Sequence, residues 1–121
     1  MSISVLAVDD SRTMRDMLRL ALVEAGMTAH LAEDGQHGLE VLDDLEPDAI
    51  ITDINMPRLD GFGFIDAVRG IDRHRSTPIL VLTTESAEEL KAKARRAGAT
   101  GWIVKPFDPE KLVRALRMVT G

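Results

Sequence analysis

Five side chains of complementary chemistry stand just after short apolar runs in this 121-residue chain. Asp9 and Asp10 follow Ile3–Val8, Asp53 follows a run begun by Ala49–Ile51, Thr83 follows Ile79–Leu82, and Lys105 follows Trp102–Val104. Three carboxylates brought close together repel one another and stay ionised only with a cation among them. All the available ligand atoms are oxygens, which selects a hard ion such as Mg²⁺ that keeps part of its water shell. A bound Mg²⁺ takes a further anionic oxygen, typically of phosphate. Lys105 offers that phosphate a point positive charge, and Thr83 offers a hydrogen bond. Asp53, at the end of the central run, is the best-placed nucleophile. Carboxylate attack on a phosphoryl group gives an acyl phosphate, with the metal and the lysine offsetting charge in the transition state.

Whether these residues meet depends on the elements that carry them. Short continuous apolar runs suit strands buried on both faces of a parallel sheet. A fifth strand is placed at Thr28–Ala32, mainly from its context between two helical segments. Helical spacing marks Met14, Met17, Leu18, Ala21, Leu22 and Ala25, capped by Ser11 or Thr13 and ended by Gly26. Leu39, Leu42 and Leu45 form a second stripe stopped by Pro47, and Phe64, Ile65, Val68 and Ile71 a third. Ala87, Leu90, Ala94 and Ala97 form a weak fourth, ended by Gly98. Leu112, Val113, Leu116 and Val119 form the last, with Pro109 in its first turn. Strand then helix, five times, predicts a single α/β sandwich over 1–121 with right-handed crossovers. In such sheets ligands bind at the carboxyl ends of the strands, where all five residues stand.

Composition narrows the alternatives. There is no cysteine, so disulfide and thiolate chemistry are excluded. A net charge of −5 disfavours binding to nucleic acid, which selects a basic surface. No apolar run approaches the roughly 20 residues that span a bilayer, and the start MSISVLAVDD lacks a basic n-region. A cytoplasmic protein with no membrane contact is expected. His30, His37 and His74 do not fall at zinc-ligand spacing and are expected to be solvent-facing or locally bonded; Met14 and Met17 are expected in the core. Gly61-Phe62-Gly63 lacks the third glycine of a dinucleotide fingerprint.

Four stretches then carry a resemblance: VDDSRTMR at 8–15, DINMPRLDG at 53–61, Thr83, and AGATGWIVKPF at 97–107. In this order and on these elements they resemble the receiver domain of two-component response regulators, the CheY-like single-domain chemotaxis regulators in particular. The resemblance implies a doubly wound, flavodoxin-like (βα)5 fold with strand order 2-1-3-4-5. It implies Asp53 as phosphoacceptor for a histidine kinase. Mg²⁺ would be held by Asp10 and Asp53 directly, by Asp9 through water, and by the backbone carbonyl of Asn55. Thr83 would follow the phosphoryl group as the switch, and Lys105, joined to Pro106 by a cis peptide bond, would pair with it. The switch aromatic falls at Trp102, where the family more often has Tyr or Phe. Asn55 and Glu85, two residues past Asp53 and Thr83, would flank the attacking water and imply self-hydrolysis in seconds to minutes.

The resemblance places the output surface on the fourth helix, fifth strand and fifth helix, for a downstream protein such as the flagellar motor switch. Lys91, Lys93, Arg95 and Arg96 make this fourth helix more charged than in motor-binding members. They read equally as dipole compensation on a solvated face and as a docking surface. A phosphate sink or relay without motor binding is the alternative output. A Mg²⁺-dependent phosphohydrolase would need an acid two residues after the nucleophile, where this chain has Asn55. A passive adaptor would leave the acid cluster without a role.

Overall fold

The computed structural model describes residues 2–121. The elements run β1 (Ser4–Val8), α1 (Arg12–Glu24), β2 (Thr28–Ala32), α2 (Gly35–Leu42), β3 (Ala49–Thr52), α3 (Gly61–Arg69), a 3₁₀ turn (Asp72–His74), β4 (Ile79–Thr83), α4 (Glu88–Ala97), β5 (Gly101–Val104) and α5 (Pro109–Thr120). All strand pairs are parallel, in the order β2-β1-β3-β4-β5. The expected doubly wound α/β sandwich is therefore observed, with all five strands, Thr28–Ala32 included. Among the described residues no helix is long and apolar enough to cross a membrane.

Period-two alternation divides the interior into two layers. Val5, Ala7, Ile51, Leu80 and Leu82 face α1 and α5, packing on Leu18, Leu22, Leu112 and Leu116. Leu6, Val8, Ile50, Ile79 and Val81 face the other way, onto Leu42 of α2, Phe64, Ile65 and Val68 of α3, and Ala94 of α4. Each fully buried Leu, Ile or Phe contributes about 1.5–3 kcal/mol by leaving water. With β1, β3 and β4 sealed on both faces, their carboxyl ends are rigid mounts.

Caps set the helix starts. Ser11 accepts from the Met14 N–H, and Asp34, Asp60 and Asp108 do the same for α2, α3 and α5. Helix α4 has no side-chain cap; Glu88 and Glu89 in its first turn and Arg95 and Arg96 in its last complement its dipole. Gly98 ends it at φ 116, a left-handed conformation that favours glycine.

Two sequence expectations are corrected and a third is resolved. Met17 is 44% exposed rather than core. Successive residues turn about 100° around a helix, so Met17 lies well to one side of Leu18, and within α1 only Leu18, Ala21 and Leu22 are buried. Helices α2 and α3 stop at Leu42 and Arg69, short of Leu45 and Ile71. For His74 the choice between solvent-facing and locally bonded falls to the second: the residue, which ends the 3₁₀ turn, is buried. Arg69 fixes this corner, donating from Nη1 to the His74 carbonyl (2.7 Å) and from Nη2 to the Gly98 carbonyl (2.8 Å). The His74 Nδ1 lies 3.5 Å from Thr77 Oγ1, and among the described residues its Nε2 has no partner.

Burial, reinforced by the charges of Arg73 and Arg69, pushes the His74 imidazole below its ordinary value; the Leu42 backbone and then the Glu46 charge act the other way. The unfolded chain therefore takes up this proton at a higher pH than the folded one. Its stabilising contribution is complete above the unfolded value, about 6.5, and is lost as pH falls from there toward the folded value. Chemical denaturation between neutral and mildly acidic pH should show this slope, and His74→Leu should flatten it.

Candidate metal and phosphoryl site

Adjacent pairing of β1 with β3 sets Asp9 beside Asp53. The Asp53 N–H donates to the Val8 carbonyl (3.0 Å), which fixes the offset of the two carboxylates. Asp9 and Asp53 are buried and Asp10 is exposed at the rim. One carboxylate oxygen from each of the three lies within 4.8 Å of the others.

Lys105 reaches this cluster from the far side of β4. Its backbone N–H donates to the Thr83 carbonyl (2.8 Å), and the Lys105–Pro106 peptide is cis, as expected. Its ammonium lies 2.8 Å from Asp9 Oδ2 and 2.7 Å from Asp53 Oδ2. The remaining oxygens of both acids are also occupied: Asp9 Oδ1 accepts from the Ser11 N–H (2.9 Å) and Asp53 Oδ1 from the Ile54 N–H (2.6 Å). The lysine thus does for two of the acids what a cation must do for all three.

The electrostatics follow from this packing. Burial raises the Asp9 carboxyl above its ordinary value, against the opposing pull of Lys105 and the Ser11 N–H. Burial pulls the Lys105 ammonium down, but its hydrogen bonds to Asp53 and Asp9 outweigh that and hold it above its ordinary value. The lysine therefore stays charged throughout the physiological range.

The donor set fits a hard divalent ion: three neighbouring carboxylates, all oxygen, one facing solvent. Asn55 stands in the loop that follows Asp53, exposed and two residues on.

Beside the acids runs a chain of contacts centred on Glu85. Thr83 is buried, and its hydroxyl accepts from the Glu85 N–H at 3.4 Å rather than bonding the carboxylates. The Glu85 carboxylate accepts from Asn55 Nδ2 at 3.2 Å. The Glu85 carbonyl accepts from the indole Nε1 of Trp102 at 3.0 Å. Three of the four residues assigned to switching and hydrolysis in the sequence therefore bond to the fourth, Glu85. Its backbone contacts have no signature in sequence.

The turn behind Asp53 is closed by Gly61, whose N–H donates to the Ile54 carbonyl (2.8 Å). A β-carbon at Gly61 would collide with the Asp53 carbonyl oxygen and approach Ile54 Cα to 2.7 Å. Both are backbone atoms and cannot rotate away. Gly61→Ala should cost about 1–3 kcal/mol in a denaturant titration, with the rim displaced.

A family model described as the response regulator receiver domain matches residues 5–117. The chain belongs to this family. This receiver domain is 36% identical over 121 residues to the chemotaxis protein CheY1 of Helicobacter pylori, covering 97% of this chain and 96% of that protein. It is 38% identical over 117 residues to the response regulator MprA of Mycobacterium ulcerans, covering 97% of this chain but only 50% of MprA. The chain thus spans about half the length of that relative. Among solved structures, the chemotaxis response regulator CheY4 of Vibrio cholerae matches with a TM-score of 0.93 at 44% identity, over 98% of this chain and 99% of that one. The receiver domain is accordingly CheY-like in fold and in near full-length sequence.

Proposed function

We propose that this receiver domain is a phosphorylation-controlled signalling switch that accepts a phosphoryl group from a histidine kinase on Asp53, in a Mg²⁺-dependent step, in chemotaxis. The observation that carries the reading is the Asp53 carboxylate held 2.7 Å from the Lys105 ammonium, with Asp9 and Asp10 alongside. Asp10, Asp53 and the Asn55 carbonyl would hold Mg²⁺ directly, with Asp9 acting through water. Bound there, Mg²⁺ supplies charge neutralisation to the phosphoryl oxygens.

An Asp53 carboxylate oxygen attacks phosphorus as the P–N bond to the kinase histidine breaks, and the electron pair leaves with the imidazole. Lys105, already poised over Asp53, pairs with the incoming phosphoryl oxygens. The Thr83 hydroxyl turns from the Glu85 N–H to donate to the same oxygens. That turn releases one tie on the loop whose carbonyl anchors Trp102, so the indole is the readout on the α4–β5–α5 face. Asn55 and Glu85, bonded to each other across the mouth, set the path of the hydrolytic water and a lifetime of seconds to minutes. The domain acts in the cytoplasm, over 1–121, as a stoichiometric acceptor and not a turnover enzyme. The downstream partner is a protein on the α4–β5–α5 face, the flagellar motor switch among the candidates.

One observation favours a phosphate sink as the second reading. Two of the four α4 cations are engaged within the chain: Lys93 lies 4.2 Å from the Phe62 ring centroid and Lys91 3.5 Å from Glu88. That leaves Arg95 and Arg96 for a partner.

The test is transfer of ³²P from a phosphorylated histidine kinase. The expected result is a one-to-one, base-labile adduct that forms with Mg²⁺, fails with chelator and decays within minutes. Absence of an adduct with every kinase tried, or steady turnover of an organic phosphate ester, would overturn the proposal.

A further inference from the structure

The loop between β3 and α3 is pinned on the side facing α2 by a contact that the phosphoryl chemistry does not use. Arg58 has φ 66, and among the described residues it is the only non-glycine with positive φ. A β-carbon disfavours that conformation, so something must hold it. Its guanidinium grips Asp34 with both edges, Nε to Oδ2 at 2.7 Å and Nη2 to Oδ1 at 3.0 Å. The Asp34 carboxylate is buried beneath it, and the same Oδ1 accepts from the His37 N–H (2.8 Å) as the cap of α2. Arg58 holds the Asp34 carboxyl below its ordinary value. The neighbouring backbone is locked as well. The Gly35 N–H donates to the Leu59 carbonyl (3.2 Å), and a β-carbon at Gly35 would lie 2.5 Å from that oxygen.

A helix cap alone does not explain this arrangement. Asparagine caps as well as aspartate, needs no cation, and would not draw a side chain into left-handed backbone. The planar fork of arginine matches a carboxylate in a way lysine does not, which suits a clamp with a defined angle. The clamped loop is the one that carries Asn55, whose other flank is tied to Glu85 at 3.2 Å. Asn55 thus stands between a side-chain tie to Glu85 and the Arg58 clamp a few residues on.

We propose that the Arg58–Asp34 pair is a positioning device that fixes the Asn55 carbonyl for Mg²⁺ and thereby sets the metal affinity of the acid cluster. This rests on the metal role given to Asn55 and Asp10 above. Arg58 and Asp34 touch neither metal nor phosphoryl group; they act through the loop.

The test is isothermal titration calorimetry of MgCl₂ into the full chain, with no phosphodonor present. Asp34→Asn keeps a capping oxygen and removes the charge. Arg58→Gly removes the cation and relaxes the backbone. Each should weaken Mg²⁺ binding roughly tenfold, the low end for supporting contacts at metal sites, and the double variant should be no weaker than either single. Arg58→Lys should recover only part of the affinity. Wild-type affinity within twofold in both single variants, or independent losses that multiply in the double, would overturn the proposal. Asp10→Asn separates the two levels. If it abolishes Mg²⁺ binding while the clamp variants bind normally, the positioning role alone fails. If it binds as wild type, the metal assignment fails and takes the clamp's role with it.

Discussion

Asp53→Asn should take no label from a phosphorylated histidine kinase while folding as well as the parent. The amide has no lone-pair anion with which to attack phosphorus, so the loss is complete rather than graded. The fold should survive because the asparagine oxygen can still accept from the Ile54 N–H, and removing one of three crowded carboxylates relieves repulsion. Thermal stability without metal should therefore match or exceed wild type. Radiolabel transfer read alongside a melting curve distinguishes lost chemistry from lost structure. Label persisting on Asp53→Asn would mean that another residue is the acceptor.

Lys105→Met should lower the stability of the metal-free protein by about 3–5 kcal/mol, the cost of leaving buried charges without their partner. For a domain of this size that is a melting temperature lower by roughly 15 °C. The Lys105 side chain is 11% exposed and bonds two acids that are themselves buried, so solvent screening does little to soften the loss. Methionine keeps the length and apolar stem of the side chain, which confines the change to the charge. Added Mg²⁺ should return much of the stability, because an ion that binds only the folded state stabilises it by mass action. The shift on adding MgCl₂ should be larger than in wild type, and phosphotransfer should fall sharply in both conditions. A variant with unchanged metal-free stability would show that the lysine does not balance Asp9 and Asp53.

The parts of this molecule that were legible in its sequence are those governed by local pattern. Short apolar runs marked four of the five strands, Gly98 marked the end of α4, and the acids and lysine announced themselves by standing directly after apolar runs. The site could be read because parallel sheets deliver strand ends to one edge whatever the distance along the chain. What escaped depended on facing and on backbone conformation. Met17 shares the spacing of Leu18 closely enough to pass for core, yet points aside. His74 is buried by a 3₁₀ turn that hydropathy does not mark. Arg58 and Asp34 are 24 positions apart, and their pairing needs a left-handed residue in one loop and a cap in another. Two of the three contacts of Glu85 use its backbone, and no residue type encodes a carbonyl that waits for an indole.

That last contact has a practical corollary. The chain holds a single tryptophan, so an amide-proton NMR spectrum contains one indole cross-peak and no ambiguity about its owner. Because that proton points at the Glu85 carbonyl, its chemical shift and its exchange with deuterium report the position of the β4–α4 loop directly. The molecule comes with its own gauge, readable in intact cells or crude extract without any dye.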